Sequence, residues 1–143
     1  MREILKISGL IGGYVHDIKV LRGVELNIHE GEAVGLIGLN GSGKSTFGKA
    51  VMNMLPWKEG QILFDGKNIS NIQTCDLAHK GIAIMHQGGQ VFRELTVYEN
   101  LKIAFGRIKD SEYMEELKIM IPLLSLPEKG LKGKMADKLS GGQ

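Results

Sequence analysis

Gly38, Leu39, Asn40, Gly41, Ser42, Gly43, Lys44, Ser45 and Thr46 spell G-x-x-x-x-G-K-S-T, the pattern of a phosphate-cradling loop. The residue types follow from the chemistry. A triphosphate needs several donors converging on its oxygens, and main-chain N–H groups approach closely only where side chains are missing. Gly38, Gly41 and Gly43 leave that space. A helix that starts at the end of the loop points its positive end at the anion. Lys44 would add a cation on the β and γ oxygens, and the Ser45 hydroxyl would take one position on Mg²⁺.

Such a loop works only between a strand and a helix. "AVGLI", residues 33–37, leads in and is almost wholly apolar, as a strand covered on both faces of a parallel sheet should be. Beyond the loop, Phe47, Val51, Met54 and Leu55 recur at helical spacing, and Pro56 ends the helix. Gly48 inside it costs about 1 kcal/mol relative to Ala unless a close neighbour needs the room.

Elsewhere, "EILKISGL" and "VELNIHEGE" read as strands, the latter alternating Val24, Leu26 and Ile28. "QILFDGKNI" reads as two short strands around an Asp65-Gly66 turn. "TCDLAHK" is a short helix with Thr74 as N-cap, and "GIAIM" another buried strand. Thr96 and Glu99 form a capping box that opens a helix, and "SEYMEELKIMIPLLSL" is helical until Pro122. Strands and helices alternate to about residue 88, and residues 96–126 are mainly helical. The shift marks a subdomain boundary near 88–95, within one domain.

Composition narrows the classes. Eighteen Lys and Arg against 16 Asp and Glu give a net charge of +2, too small to indicate nucleic acid or an anionic membrane surface. Cys75 is the single cysteine, so there is no intrachain disulfide. The longest apolar run, "IMIPLLSL", is far short of the roughly 20 residues that span a bilayer. A membrane role therefore goes through a partner. His16, His29, His79 and His86 are scattered without metal-ligand spacing. "ILFD" imitates an apolar strand ending in a catalytic Asp, but Asp65-Gly66 is a hairpin signal.

The chain ends on "KLSGGQ". With "GLNGSGKST" upstream and "LSGGQ" downstream, it resembles the ATP-binding cassette (ABC) ATPases, the motor subunits of ABC transporters, over its whole length. The resemblance implies an α/β fold: a P-loop NTPase core, a peripheral antiparallel β-subdomain and the beginning of a helical subdomain. Residues 1–88 would form the core with its β-subdomain, and residues 89–143 the helical part, in one incomplete ABC domain. Tyr14 matches the aromatic position that stacks on adenine. Gln87 matches the Q-loop glutamine that reaches Mg²⁺ and the attacking water. Ser140, Gly141 and Gly142 match the signature that contacts the γ-phosphate of ATP held by a second cassette.

The implied cofactors are ATP and Mg²⁺. The implied partners are a second ABC ATPase subunit, stacked head to tail, and transmembrane permease subunits, with no nucleic acid and no direct membrane insertion. The implied location is cytoplasmic, on the inner face of the cell membrane. "GIAIMHQGGQVFRELTVYENL" and "ILFDGKNIS" look most like the ATPases of branched-chain amino acid importers, though Gln87-Gly88-Gly89 replaces a usual Glu-Gly-Arg, Gly48 a usual leucine and Gln143 a common glutamate.

In the family, a Mg²⁺-binding Asp, a catalytic Glu and a switch His follow LSGGQ. The chain is therefore expected to be truncated, to bind nucleotide weakly and hydrolyse it hardly at all, and to leave an apolar sheet edge. Two other readings stay open. A soluble ABC protein acting on ribosomes or DNA would carry insertions, basic tracts or a second cassette. A non-catalytic nucleotide-binding module would lack an apolar strand ending in Asp-Glu downstream.

Overall fold

The computed structural model describes residues 1–88, 90–105, 115, 119 and 133–139. The chain divides into two compact units, Met1–Ile84 and Met85–Gln143.

The first unit contains strand β1 (Glu3–Gly13), strand β2 (Leu21–His29), helix α1 (Lys44–Val51), strand β3 (Trp57–Phe64), strand β4 (Lys67–Asn68) and helix α2 (Thr74–His79). The strands form one antiparallel sheet in the order β2-β1-β3-β4. As the alternation predicts, Val24 and Leu26 pack against the core on β2 and Ile28 is half-buried, while their neighbours Glu25 and Asn27 face solvent.

Strict alternation breaks between Ile7 and Leu10 of β1, which are both fully buried although they stand three positions apart. A bulge resets the face: the register with β2 shifts between Ile7 and Leu10, Gly9 adopts φ +61°, and its N–H donates to Glu25 Oε1. The apolar cluster joins Ile7, Leu10 and Leu21 to Ile62 and Ile69, to Phe47, Ala50 and Met52, and to Leu77. Helix α1 thus lies on the sheet through the face that carries Phe47 and Ala50.

The expected hairpin is present. Asp65 and Gly66 take φ +49° and +72° between β3 and β4, and Asp65 pairs with Arg2. Its carboxylate therefore has a structural role.

Four sequence expectations need correction. Neither residues 33–37 nor 81–85 form a strand. An apolar run becomes a strand only beside a partner that completes its ladder, and among the described residues none pairs with either. Ile37 is 99% exposed and Met85 96%. Helix α1 stops at Val51, well before Pro56. Asn53 takes the left-handed conformation at φ +55°, and its amide donates to the carbonyls of Ile69 and Ile72 at 2.7 and 2.6 Å. Those bonds turn the chain before proline can. Finally, Thr74 does not cap α2. Gln73 is the N-cap, and the Thr74 hydroxyl instead donates to the Met52 carbonyl at 2.8 Å.

In the second unit, helix α3 (Val97–Phe105) opens on the expected box. Glu99 N–H donates to Thr96 Oγ1 at 3.2 Å, and Thr96 N–H donates to Glu99 Oε2 at 2.8 Å. Glu115 and Ile119 are helical; the rest of the helix expected around Pro122 lies outside the described residues.

Candidate functional site

The phosphate loop has the required shape. Gly41 and Gly43 both take left-handed φ, +82° and +94°, which a side chain would strain. A Cβ on Gly38 would stand 2.6 Å from Ser42 Oγ, so a side chain there would force the Ser42 hydroxyl to move. The Ser42 N–H donates to the Leu39 carbonyl at 3.2 Å and closes the turn. Gly43 is the N-cap of α1, and its carbonyl accepts from Phe47 N–H at 2.8 Å. Helix geometry leaves the N–H groups of the first turn without intrahelical acceptors. No acidic residue stands in that turn to compete with an anion.

Lys44 bends back over the loop. Its ammonium donates to the carbonyls of Gly38 and Leu39, both at 2.7 Å. The two hydroxyls that follow differ in environment. Ser45 is exposed, whereas Thr46 is buried at 6% exposure. One exposed hydroxyl fits Mg²⁺, which binds through one or two protein ligands and completes its shell with phosphate oxygens and water. The exposed Ser45 hydroxyl is accessible to such a metal, whereas the buried Thr46 hydroxyl is not.

Thr46 turns toward Tyr14. Its Oγ1 shares a long hydrogen bond, 3.4 Å, with the Tyr14 hydroxyl. Lys49, one turn further along α1, holds its ammonium 5.3 Å from the centre of the Tyr14 ring. The bond to Thr46 holds the phenol below its usual range; burial opposes this slightly, and Lys49 acts in the same direction as Thr46. The ring remains 48% exposed, open to a ligand. Tyr14, in the bend after β1, thus meets the same helix that the phosphate loop opens. The contributions of Lys49 and of Trp57, whose indole N–H donates to the Val15 carbonyl at 2.7 Å, carry no sequence signal.

A family profile described as ABC transporter matches residues 21–143. The chain belongs to the ABC transporter family. Its relatives include the probable branched-chain amino acid transport ATP-binding protein LivG of Methanocaldococcus jannaschii, 33% identical over 99% of this chain and 60% of LivG. The phosphonates import ATP-binding protein PhnC of Alcaligenes faecalis is 35% identical over 98% of this chain and 54% of PhnC. The lipopolysaccharide export system ATP-binding protein LptB of Escherichia coli strain K12 is 34% identical over 87% of this chain and 52% of LptB.

Solved structures agree in fold. A nucleotide-free ATP-binding cassette from an ABC transporter superposes with TM-score 0.81 at 31% identity, covering 99% of this chain and 60% of that one. A dimeric post-hydrolysis cassette bound to ADP and Pi gives 0.79 at 26%, covering 98% and 65%. This ABC chain thus has the P-loop NTPase fold of the cassettes, and it spans between half and two thirds of the length of these relatives.

Gln87 of the ABC chain belongs to the second unit, exposed in a turn with Gly88 at φ +91°. Asn100 secures the segment after it. The Asn100 carbonyl oxygen accepts from Phe92 N–H at 2.8 Å, and its amide donates to the carbonyls of Phe92 and Thr96 at 2.9 and 3.0 Å. Ser140, Gly141 and Gly142 lie outside the described residues. The stretch just before them is tied to the start of α3. Val97 N–H donates to Lys134 O at 2.8 Å, Ala136 N–H to Leu95 O at 3.0 Å, and Thr96 bridges Met135. Among the described residues no helix is long and apolar enough to cross a membrane.

Proposed function

We propose that this chain is the ATP-binding part of an energy-coupling subunit of an ABC importer, with branched-chain amino acids as the transported class. The observation that carries the nucleotide reading is the loop itself: two left-handed glycines and a third packed against Ser42, at the N-terminus of α1, beneath the Lys44 ammonium. Amides of residues 38–46 would surround the triphosphate of ATP, and Lys44 would exchange its carbonyl partners for phosphate oxygens. The exposed Ser45 hydroxyl would hold Mg²⁺, which neutralises charge on the transferred phosphoryl group. Tyr14 would receive the adenine.

Gln87 would report on the metal site and on permease subunits. Ser140, Gly141 and Gly142 would contact ATP bound by a second cassette, so two chains would complete two sites. The chain would then act at the cytoplasmic face of a membrane without entering it. The importer reading rests on the resemblance of residues 62–70 and 81–101 and on the likeness to LivG; PhnC and LptB show that relatives of equal similarity serve other cargo.

A thermal melt with and without Mg-ATP tests the nucleotide site. Ligand at about a hundred times its dissociation constant adds about 2.7 kcal/mol of stability. Absence of any shift at millimolar Mg-ATP would overturn the reading. Transport of leucine by vesicles carrying the chain's own full assembly, against phosphonate as a control cargo, tests the substrate class.

A further inference from the structure

We propose that Lys49 and Trp57 are positioning residues for Tyr14, fixing which face of its ring a nucleotide base can take. The proposal rests on the reading of Tyr14 and the phosphate loop as one ATP site.

Two elements hold the tyrosine from different directions. From α1, Thr46 and Lys49 sit three residues apart on one face of the helix. Thr46 Oγ1 meets the phenol hydroxyl at 3.4 Å, and the Lys49 ammonium lies 5.3 Å from the ring centre, within the range of a cation–π contact. A cation over one face leaves only the opposite face for a stacked base. It also draws electron density toward itself, which suits stacking by an electron-rich purine on the free side.

From the sheet, Trp57 holds the turn that carries Tyr14. Trp57 opens β3 directly opposite Gly13. Its indole N–H donates to the Val15 carbonyl at 2.7 Å, and the same carbonyl accepts from Ile18 N–H at 3.1 Å. Position 13 is closed to any side chain, since a Cβ there would come 2.2 Å from the Ile18 carbonyl and 3.4 Å from Trp57 Cζ2. Asp17, at φ +72°, completes the reversal, and the His16 ring lies 5.7 Å from the indole. Tyr14 therefore leaves a turn that is braced on the side of Trp57 and meets a helix that is braced on the side of the phosphate loop. Base and phosphate subsites would then be held through one connected set of contacts, and such preorganisation lowers the ordering cost of binding.

The experiment measures calorimetric affinities for Mg-ATP and for inorganic tripolyphosphate with Mg²⁺, which carries the phosphates without a base. Variants are Lys49→Met, Lys49→Arg and Trp57→Phe. Trp57→Phe keeps an aromatic ring and leaves Val15 its Ile18 donor, and thermal melts without ligand check each fold. Lys49→Met and Trp57→Phe should each weaken ATP by about three- to tenfold and leave tripolyphosphate unchanged within about twofold. Lys49→Arg should retain ATP affinity, because guanidinium also stacks on an aromatic face.

Parallel losses for both ligands would make Lys49 a phosphate ligand or Trp57 a merely structural residue, and overturn the proposal. Unchanged ATP affinity in both variants would overturn it equally. If the unsubstituted chain binds ATP no tighter than tripolyphosphate, the base contact is absent and this inference alone falls. Binding of neither ligand overturns the phosphate-loop reading and this inference together.

Discussion

The Lys44 ammonium donates to the Gly38 carbonyl at 2.7 Å, bridging the two ends of the glycine-rich loop. Without nucleotide, the lysine braces the loop in which it stands. In the proposed nucleotide site, the same ammonium would become the counter-charge of the phosphates.

Lys44→Ala should therefore separate stability from binding. The bare protein should change by less than about 1 kcal/mol, because the two loop carbonyls can turn to water. Mg-ATP affinity should fall by about ten- to a hundredfold, the value of a charge-assisted bond to phosphate. Paired melts and calorimetry measure both, and an unaltered nucleotide shift would place the phosphates elsewhere.

Asn53 should be among the residues least tolerant of change in the first unit. Asn53→Ala loses two bonds to the Ile69 and Ile72 carbonyls and puts a Cβ without local hydrogen bonding at φ +55°. A loss of about 2–4 kcal/mol follows. Asn53→Gly keeps the left-handed turn and should lose about 1 kcal/mol less. Urea denaturation of both variants gives the difference, and equal losses would mean the backbone conformation contributes nothing.

Gly48→Ala should stabilise the protein. Alanine gains up to about 1 kcal/mol in a helix interior. The added Cβ would stand 3.3 Å from Ile84 Cδ1, the end of a side chain that can move by the few tenths of an ångström required. A net gain of about 0.5 kcal/mol should appear as a higher midpoint in urea. A lower midpoint would show that Ile84 is held too firmly to yield.

The start of α3 should respond to acid. Hydrogen bonds from the Thr96 N–H, and then from its hydroxyl, hold the Glu99 carboxyl below the ordinary glutamate range. A carboxyl depressed on folding stabilises the folded state above its unfolded pKa. That contribution fades as pH falls through the folded value, so the loss begins below about pH 4.3 and continues downward. Glu99→Gln should flatten the pH dependence of α3 amide exchange in that window. Thr96→Ala should cost about 1 kcal/mol through the lost cap, and an unchanged exchange rate in α3 would contradict both.

The phosphate site is legible in the residues alone because its chemistry forces residue types at fixed spacing. Only glycine admits a close main-chain approach, only a cation answers the phosphates, and the helix must begin where the loop ends. The capping box at Thr96 and the turn at Asp65-Gly66 are legible for the same reason: their hydrogen bonds close within a few residues. The apolar runs at 33–37 and 81–85 mislead because an apolar sequence states a demand for burial, whereas a strand needs a partner that the run itself cannot supply.

Local sequence thus determined the loop, the Thr96–Glu99 capping box and the hairpin, whose energies are set among neighbours in the chain. Tertiary structure decided the rest. It placed Leu10 on the core face through a bulge that Glu25 completes from another strand. It turned the chain at Asn53, just beyond the end of α1, through carbonyls 16 and 19 residues away. It also brought Lys49 and Trp57 around Tyr14 from a helix and a strand. Contacts between residues distant in sequence depend on how the elements pack, and no spacing along the chain encodes them.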